Sequence, residues 1–471
     1  MSKALRGELE LERYRDRVVN GPVLRTLLWL GVPPMITQIV HVLYSVADSL
    51  WLSIYREAAI AVPRQTFPVL MLFGAAINAL SAAGTALISQ SVGSRDYEGF
   101  KREASHFFSA SVLVGATLSF SFFALRPLIF TQVVATPPEI LEEVLLYSAI
   151  MALDSLLMSL VMPLTTVLTS LGETRLPSFI NVVAVLINIA LDPFLILGLG
   201  PFPRLGVAGA AATDVLGKVI TLGGYFALLR RRFSWIKITF TPRVPAHWVR
   251  LASRIASPVF LMMSTNSLAF ILQQRMVNAF GVAVATAYAI GFVILDIADG
   301  ALWGLLGSIS VMVGQALGAG RRDRAREVAV KAALFIAAAV AAGALFVYLL
   351  RRQLVAVFAS DPAVEAESVN FLETIVVGLP FFAMFMAGNS VGRGSGHTTV
   401  PTIIGVFRLW VLRVAGGYIL AFPLGLGSTG LWLAIMISNI AGGLLMLYWI
   451  AKGGWTAPVL RGPATGGASG R

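Results

Sequence analysis

The segment PLTTVLTSLGETRLPSFI, residues 163–180, has a counterpart in AGNSVGRGSGHTTVPTII, residues 387–404. Gly172 aligns with Gly396 and Pro177 with Pro401 at a single offset. Upstream, ISQSVGSRDYEGFKREA (88–104) aligns with VGQALGAGRRDRAREVA (313–329), which pairs Gln90 with Gln315 and Gly93 with Gly318. Those pairs, and Pro33 with Pro258, share an offset one residue longer. A near-constant offset over so much of the chain means two copies of one unit, running in the same direction.

Each unit is built for a bilayer. Over 471 residues, 57% are hydrophobic and 13% charged, whereas an ordinary soluble domain carries about 25% charged residues. Apolar runs of about 20 residues, enough to cross the hydrocarbon core, recur from Leu24 to Ala451 with short breaks between them. Reading runs and breakers predicts six spans at roughly 25–53, 60–92, 100–132, 138–170, 175–199 and 206–230. Six more follow at roughly 248–280, 283–318, 325–358, 363–394, 398–423 and 428–451. The predicted fold is an all-α polytopic membrane protein: twelve transmembrane helices in two pseudo-symmetric six-helix bundles. Repeat-built membrane proteins of this kind place their substrate site where the repeats meet, near the bilayer midplane.

The net charge of +12, from 36 Lys+Arg against 24 Asp+Glu, gathers in alternate loops. Arg95, Lys101 and Arg102 fall in one, Arg230, Arg231, Arg232 and Lys237 in another, and Arg321, Arg322, Arg324 and Arg326 in a third. The intervening loops include the acidic ATPPEILEE and ASDPAVEAES. The positive-inside rule then puts both termini in the cytoplasm, with lipid headgroups rather than nucleic acid as the partner of the basic face. The expected division is an amphipathic cytosolic arm lying along the membrane (1–24), an N-terminal six-helix lobe (25–230), a basic linker (231–247), a C-terminal lobe (248–452) and a disordered tail (453–471). The chain has no cysteine, which excludes disulfides, thiol catalysis and Cys-based metal sites. HExxH and GxxxxGK[ST] patterns are absent, and GxSxG occurs once, as GNSVG at 388–392 within an apolar run rather than at a strand-to-helix turn, which argues against an intramembrane enzyme. The chain has no nucleotide-binding domain that would drive an ATP-fuelled pump.

Ionisable residues within the apolar runs carry the functional reading, because each costs about 2.5–3.5 kcal/mol even on the lenient insertion scale. NVVAVLINIALDPFLIL (181–197) holds Asp192 with Asn188 one turn before it, and HVLYSVADSLW in the first span holds Asp48 on one face with His41 and Tyr44. No Lys or Arg sits near that depth on either helix. Two such carboxylates take up protons, or share Na⁺ with neutral oxygens such as Asn188 and a Thr. Asp214 has Lys218 four residues on, in range for an i,i+4 pair, and Asp154 is a second partner open to Lys218. In the second half, Asp296 and Asp299 share a depth with Arg408 and Arg413, which reads as structural ion pairs. Pro33 and Pro34 break the first span on the same helix as Asp48, which marks Pro33 as the hinge.

With LLWLGVPP and VADSLW in the first span, VLTSLGETRLP after the fourth, NIALDPFLI in the fifth, GVAGAAATD opening the sixth and GQALGAGRRDRA after the eighth, the chain resembles the multidrug and toxin extrusion (MATE) family. It lies nearest the archaeal and bacterial DNA-damage-inducible-type branch. The resemblance implies a V-shaped pair of lobes in the plasma membrane, acting as a monomer. It implies exchange of H⁺ or Na⁺ for amphipathic organic cations, with no other cofactor. It places Asp48, Asn188 and Asp192 at the cation-coupling positions and makes Tyr147 a cavity-lining residue. Members often carry Asn where Thr165 stands and Thr where Asp214 stands; here Thr213 is displaced by one. Thr213 and Asp214 therefore join the coupling set, and Thr165, Tyr44 and His41 join the cavity set. The alternative is a flippase of the same superfamily for a lipid-linked substrate, which calls for cavity Arg or Lys.

Overall fold

The structure, a computed structural model, describes residues 3–460 apart from 57, 58, 60, 135 and 360; the side chains of residues 3–8, 61, 64, 68, 73 and 296–301 also lie outside the described set. The first half comprises α1 (Lys3–Asn20), α2 (Val23–Tyr55), α3 (Ala61–Gly93), α4 (Tyr97–Leu128), α5 (Pro138–Leu171), α6 (Arg175–Leu197) and α7 (Val207–Arg231). The second comprises α8 (Ala246–Asn278), α9 (Val282–Gly318), α10 (Arg322–Ala356), α11 (Pro362–Ile375), α12 (Leu379–Ser395), α13 (Thr399–Val406), α14 (Gly416–Ala421) and α15 (Gly427–Lys452). A 3₁₀ turn fuses α11 to α12, and a π-helix over Phe407–Ala415 fuses α13 to α14. Among the described residues there is no β-strand, and 11 helical segments are long and apolar enough to cross a membrane. Helix α9, 37 residues long and interrupted for this purpose only by residues 296–301, completes the twelve. The observed ends fall within a few residues of those expected from the apolar runs.

The repeated sequence has a repeated structural job. Helix α5 ends at Gly172 (φ 101) and α12 ends at Gly396 (φ 80). Both glycines adopt the left-handed conformation that caps a helix without a Cβ penalty. The next helix of each copy then starts within a few residues, with Pro177 and Pro401 in its opening turn, where a missing N–H costs nothing. Packing repeats as well. Within the first copy, α3, α4 and α7 surround α5, and α6 lies between α2 and α7; within the second, α10, α12 and α15 enclose one another. Between copies, α2 packs on α9 and α3 on α8, two contacts that the repeat exchanges.

The α2–α9 crossing sits next to the prolines. A Cβ on Gly304 would stand 2.6 Å from the Gly31 carbonyl oxygen, and one on Gly31 would stand 2.7 Å from Leu305, so only glycine permits this approach. Pro33 and Pro34 lie just beyond; lacking N–H groups, they release two carbonyls of the preceding turn. The helix nonetheless continues, and Thr37 Oγ1 donates to the Pro33 carbonyl at 3.2 Å. From Val32 through Trp51, α2 has no buried residue. One half of this helix is therefore fixed against α9, and the other is held on one side only.

The end of the bundle that carries the basic loops is closed by paired repeat residues. Gln90 Nε2 donates to the Ser395 carbonyl at 3.1 Å, and Gln315 Nε2 donates to the Ser170 carbonyl at 2.7 Å. Each links one copy to the loop glycine region of the other. Beside them, a methyl group on Gly93 would overlap the Gln315 carbonyl, and one on Gly318 would overlap the Gln90 carbonyl.

The two chain ends differ from expectation. The arm α1 is packed against the protein along one face. Leu11, Val18 and Val19 are buried in the protein, because the bundle end offers them apolar cover next to fixed partners for their polar neighbours. Arg15 Nε donates to the Gly93 carbonyl at 2.8 Å, Tyr14 Oη donates to Glu173 at 2.6 Å, and Asn20 accepts from Arg321 of the second copy. The tail also begins ordered: Trp455 is buried, and the N–H groups of Val459 and Leu460 donate to Gln90 Oε1 at 3.0 and 3.1 Å. Residues 461–471 lie outside the described set.

Burial and the neighbouring Glu173 push the Tyr14 phenol up to about 12 from 10.0. A raised phenol binds its proton more tightly in the folded state, so its contribution to docking is full below pH 10.0 and is lost as pH rises towards about 12. Tyr14→Phe deletes the donor and weakens arm docking by about 1 kcal/mol. The check is trypsin cleavage at Arg13, Arg15 and Arg17, which accelerates in the variant.

Candidate ion and cargo sites

Three helices of the first copy bring the acids together. Asp192 on α6 is fully buried, and its Oδ1 accepts from Thr213 Oγ1 on α7 at 2.6 Å. The Thr213 hydroxyl also lies 2.7 Å from the Ala210 carbonyl. Asp192 Oδ2 is buried without a hydrogen-bond partner, as are Asp48 Oδ1 on α2 and Asn188 Oδ1 on α6. Gly217 leaves room for Asn188, since a Cβ there would stand 2.6 Å from its amide nitrogen. Asp48 lies close enough to Asp192 and Asp214 to feel their charge. Among the described residues, no Lys or Arg lies within ion-pair range of Asp48 or Asp192. An ionised, buried carboxylate oxygen left unpaired costs about 1–3 kcal/mol or more, and a bound proton or small cation removes that cost. Among the described residues, no three His, Asp or Glu gather tightly enough to hold a metal ion.

Lys218 has two acids to choose from, and the fold gives it to Asp154. The Lys218 Nζ–Asp154 Oδ1 distance is 3.1 Å, and the i,i+4 neighbour Asp214 instead accepts from Tyr44 Oη at 2.9 Å. Tyr44 thus bridges α2 to α7 beside the acids. His41, one turn earlier, is exposed and within electrostatic reach of Lys218.

The remaining cavity candidates separate. Tyr147 is buried in an apolar cluster with Val144, Met151 and Ala210, although the charges of Asp48, Asp154 and Asp214 reach its hydroxyl. Thr165 is not at the acids: it shares a hydrogen bond with Tyr225 at 2.7 Å, and Asn181 Nδ2 donates to the same phenol at 3.1 Å. Its place on α5 near the helix end puts it several turns from Asp192, so a polar position in the family pattern fell to a structural network. A cavity of about 150 Å³ opens between α3, α4 and α5, lined by Asn78, Ser119, Met151, Asp154, Met158 and Met162. That volume takes about one aromatic ring, well below the roughly 300–1,000 Å³ of a drug-sized site. The sequence reading missed Asn78 and the three methionines as a group, because a methionine at helical spacing also reads as ordinary core.

The second copy has its own buried charges. Arg408 and Arg413 lie in the π-helix and are 5% and 6% exposed. Arg408 Nη1 donates to Asn439 Oδ1 at 2.5 Å and its guanidinium lies 4.4 Å from the Phe385 ring centre; Arg413 lies 5.1 Å from that of Phe270. Asp296 and Asp299 lie outside the described residues, and with them the ion pairs expected for these arginines.

The family model MatE matches residues 33–194 and 258–419, over half of the chain. At both ends the two segments keep the offset that relates Pro33 to Pro258. The chain is 26% identical to a FAD transporter of Shewanella oneidensis, over 92% of this chain and 96% of that protein. It is 24% identical to a probable multidrug resistance protein, NorM, of Thermotoga maritima, over 94% and 96%. A crystal structure of MATE in the bent conformation superposes with a TM-score of 0.85 at 22% identity, covering 93% of this chain and 97% of that one. With the repeat, the twelve helices and both matched halves in agreement, the chain belongs to the MatE family of multi-pass membrane transporters.

Proposed function

We propose that this transporter is a secondary antiporter that exports amphipathic organic cations in exchange for H⁺ or Na⁺. The observation that carries the proposal is the pair Asp48 and Asp192. Each keeps a buried oxygen without a partner, and among the described residues each is out of ion-pair range of any Lys or Arg. Asn188 and Thr213 supply neutral oxygens beside Asp192, and Asp214 joins through Tyr44. A proton needs one acceptor oxygen, whereas a metal cation needs several, so this sparse donor set suits H⁺ more directly than Na⁺.

In this reading the basic loops face the cytoplasm and the protein sits in the plasma membrane as a monomer. Residues 25–230 and 248–452 act as the two lobes, joined by the basic linker. The glutamine–glycine contacts close the cytoplasmic end, so the described state faces outward. Uptake of the coupling ion neutralises Asp48 and Asp192 and weakens their hold on a cationic cargo. The free half of α2 then swings about Pro33, and the lobes exchange access. His41 lines the path, and Tyr147, Met151 and Met158 form the adaptable apolar wall of the N-terminal lobe.

Proteoliposomes with the pH gradient and the Na⁺ gradient imposed separately test the coupling, read as efflux of a fluorescent cation. The expected result is efflux driven by one gradient and abolished by Asp48→Asn. Efflux under neither gradient, or efflux unaffected by that variant, refutes it.

A further inference from the structure

We propose that Arg408 and Arg413 form an anion site in the C-terminal lobe, which takes the carboxylate or phosphate of an amphipathic aromatic ligand. The inference rests on family membership and on the geometry of this lobe, not on the carboxylate coupling proposed above.

The local backbone is the starting point. In an α-helix, residues five apart point about 140° away from each other. The π-helix over Phe407–Ala415 closes i→i+5 hydrogen bonds, which brings Arg408 and Arg413 nearer to one face than an α-helix would. Their charges do reach one another. The extra residue is visible in the repeat: Pro177 and Pro401 are one residue closer in offset than the ends of the two matched segments, 194 and 419. Counted at the offset of those ends, Arg413 falls at the place of Asn188 and Arg408 at that of Val183. The first copy therefore carries an acid one turn beyond Asn188, whereas the second carries arginines at and before that place and Gly417 where the acid would stand.

Among the described residues, the arginines are under-satisfied where they lie. Each guanidinium carries five N–H donors and stays charged, yet Asn439 is the acceptor given to Arg408, and the Nε of both arginines is buried with no partner. Among the described residues, no carboxylate lies in ion-pair range of either. Their other neighbours are aromatic faces: Phe385 and Phe382 over Arg408 at 4.4 and 5.3 Å, and Phe270 over Arg413 at 5.1 Å. Two parallel-charged forks among rings match a planar oxyanion attached to an aromatic body.

The test uses the full-length protein in phosphatidylcholine nanodiscs without any ion gradient, so that a failure of antiport coupling leaves it untouched. The probes are rhodamine B, which carries a free carboxylate, and its ethyl ester, which keeps the ring cation and masks the carboxylate; binding is read by fluorescence anisotropy. The Arg408→Gln/Arg413→Gln protein is expected to lose about tenfold or more in affinity for rhodamine B and to hold the ester unchanged. Arg408→Lys/Arg413→Lys keeps the charge and retains part of the preference. On the unaltered protein, phenyl phosphate displaces rhodamine B and leaves the ester bound, a readout independent of variant folding. Adding phosphatidylglycerol distinguishes the source: selective displacement of rhodamine B makes a lipid headgroup the occupant, and no displacement makes it a soluble cargo. Equal loss of both dyes, or no loss of either, marks the arginines as purely structural and overturns the proposal.

Discussion

Asp192→Asn reduces ion-driven efflux to the protein-free background while the bundle stays folded. Asparagine has the same shape, and its amide oxygen accepts the Thr213 hydroxyl that Asp192 Oδ1 accepts at 2.6 Å. What it cannot do is bind and release a proton, or present a negative oxygen at the position of Oδ2, which is buried without a partner. The substitution also removes an uncompensated buried acid, so thermal stability is expected to hold or rise. Efflux in proteoliposomes and a melting curve on the same preparation check both halves. Near-normal efflux in a folded Asp192→Asn protein moves the coupling to Asp48 or Asp214.

Gly318→Val opens the basic end of the molecule. The new side chain overlaps the Gln90 carbonyl across the α3–α9 contact, where backbone rather than a pliable side chain must yield. Overpacking of this kind costs about 1–3 kcal/mol, and a bias of that size shifts a two-state equilibrium by about 5- to 150-fold. Because the chain has no cysteine, a single Ser395→Cys reporter reads the outcome cleanly. Ser395 is fully buried beside Gln90. Maleimide labelling at that position is expected to be slow in the parent and fast once Gly318→Val is added. Unchanged labelling would mean that the contact does not hold this end shut. Both chain ends reinforce the same contact, through Arg15 on the Gly93 carbonyl and Val459 and Leu460 on Gln90.

The acids illustrate how far reading along one helix goes. Asp48, Asn188 and Asp192 announce themselves because a polar group in an apolar run is expensive wherever it points. Which partner each group takes is another matter. Lys218 stands one turn from Asp214, the arrangement that local spacing favours, yet pairs with Asp154 on α5, and Tyr44 claims Asp214 from α2. Thr165 stands where family members often carry Asn, and it belongs to a network with Tyr225 instead. The arm α1 is amphipathic and suits a membrane surface equally well, until a protein groove with matching polar partners is on offer.

By itself, the sequence determined that this chain crosses a bilayer twelve times as two parallel copies of one unit. Span length, loop charge and repeat offset are properties of the chain read in one dimension, and the bilayer imposes them on every segment alike. Tertiary structure alone decided which charges meet, because a helix that is apolar on all sides has no sequence-set rotation about its axis. Each residue turns the side chain by about 100°, and only packing against particular neighbours selects the angle. That selection aims Asp192 at Thr213, gives Lys218 to Asp154, and sets Arg408 against Asn439 and Phe385.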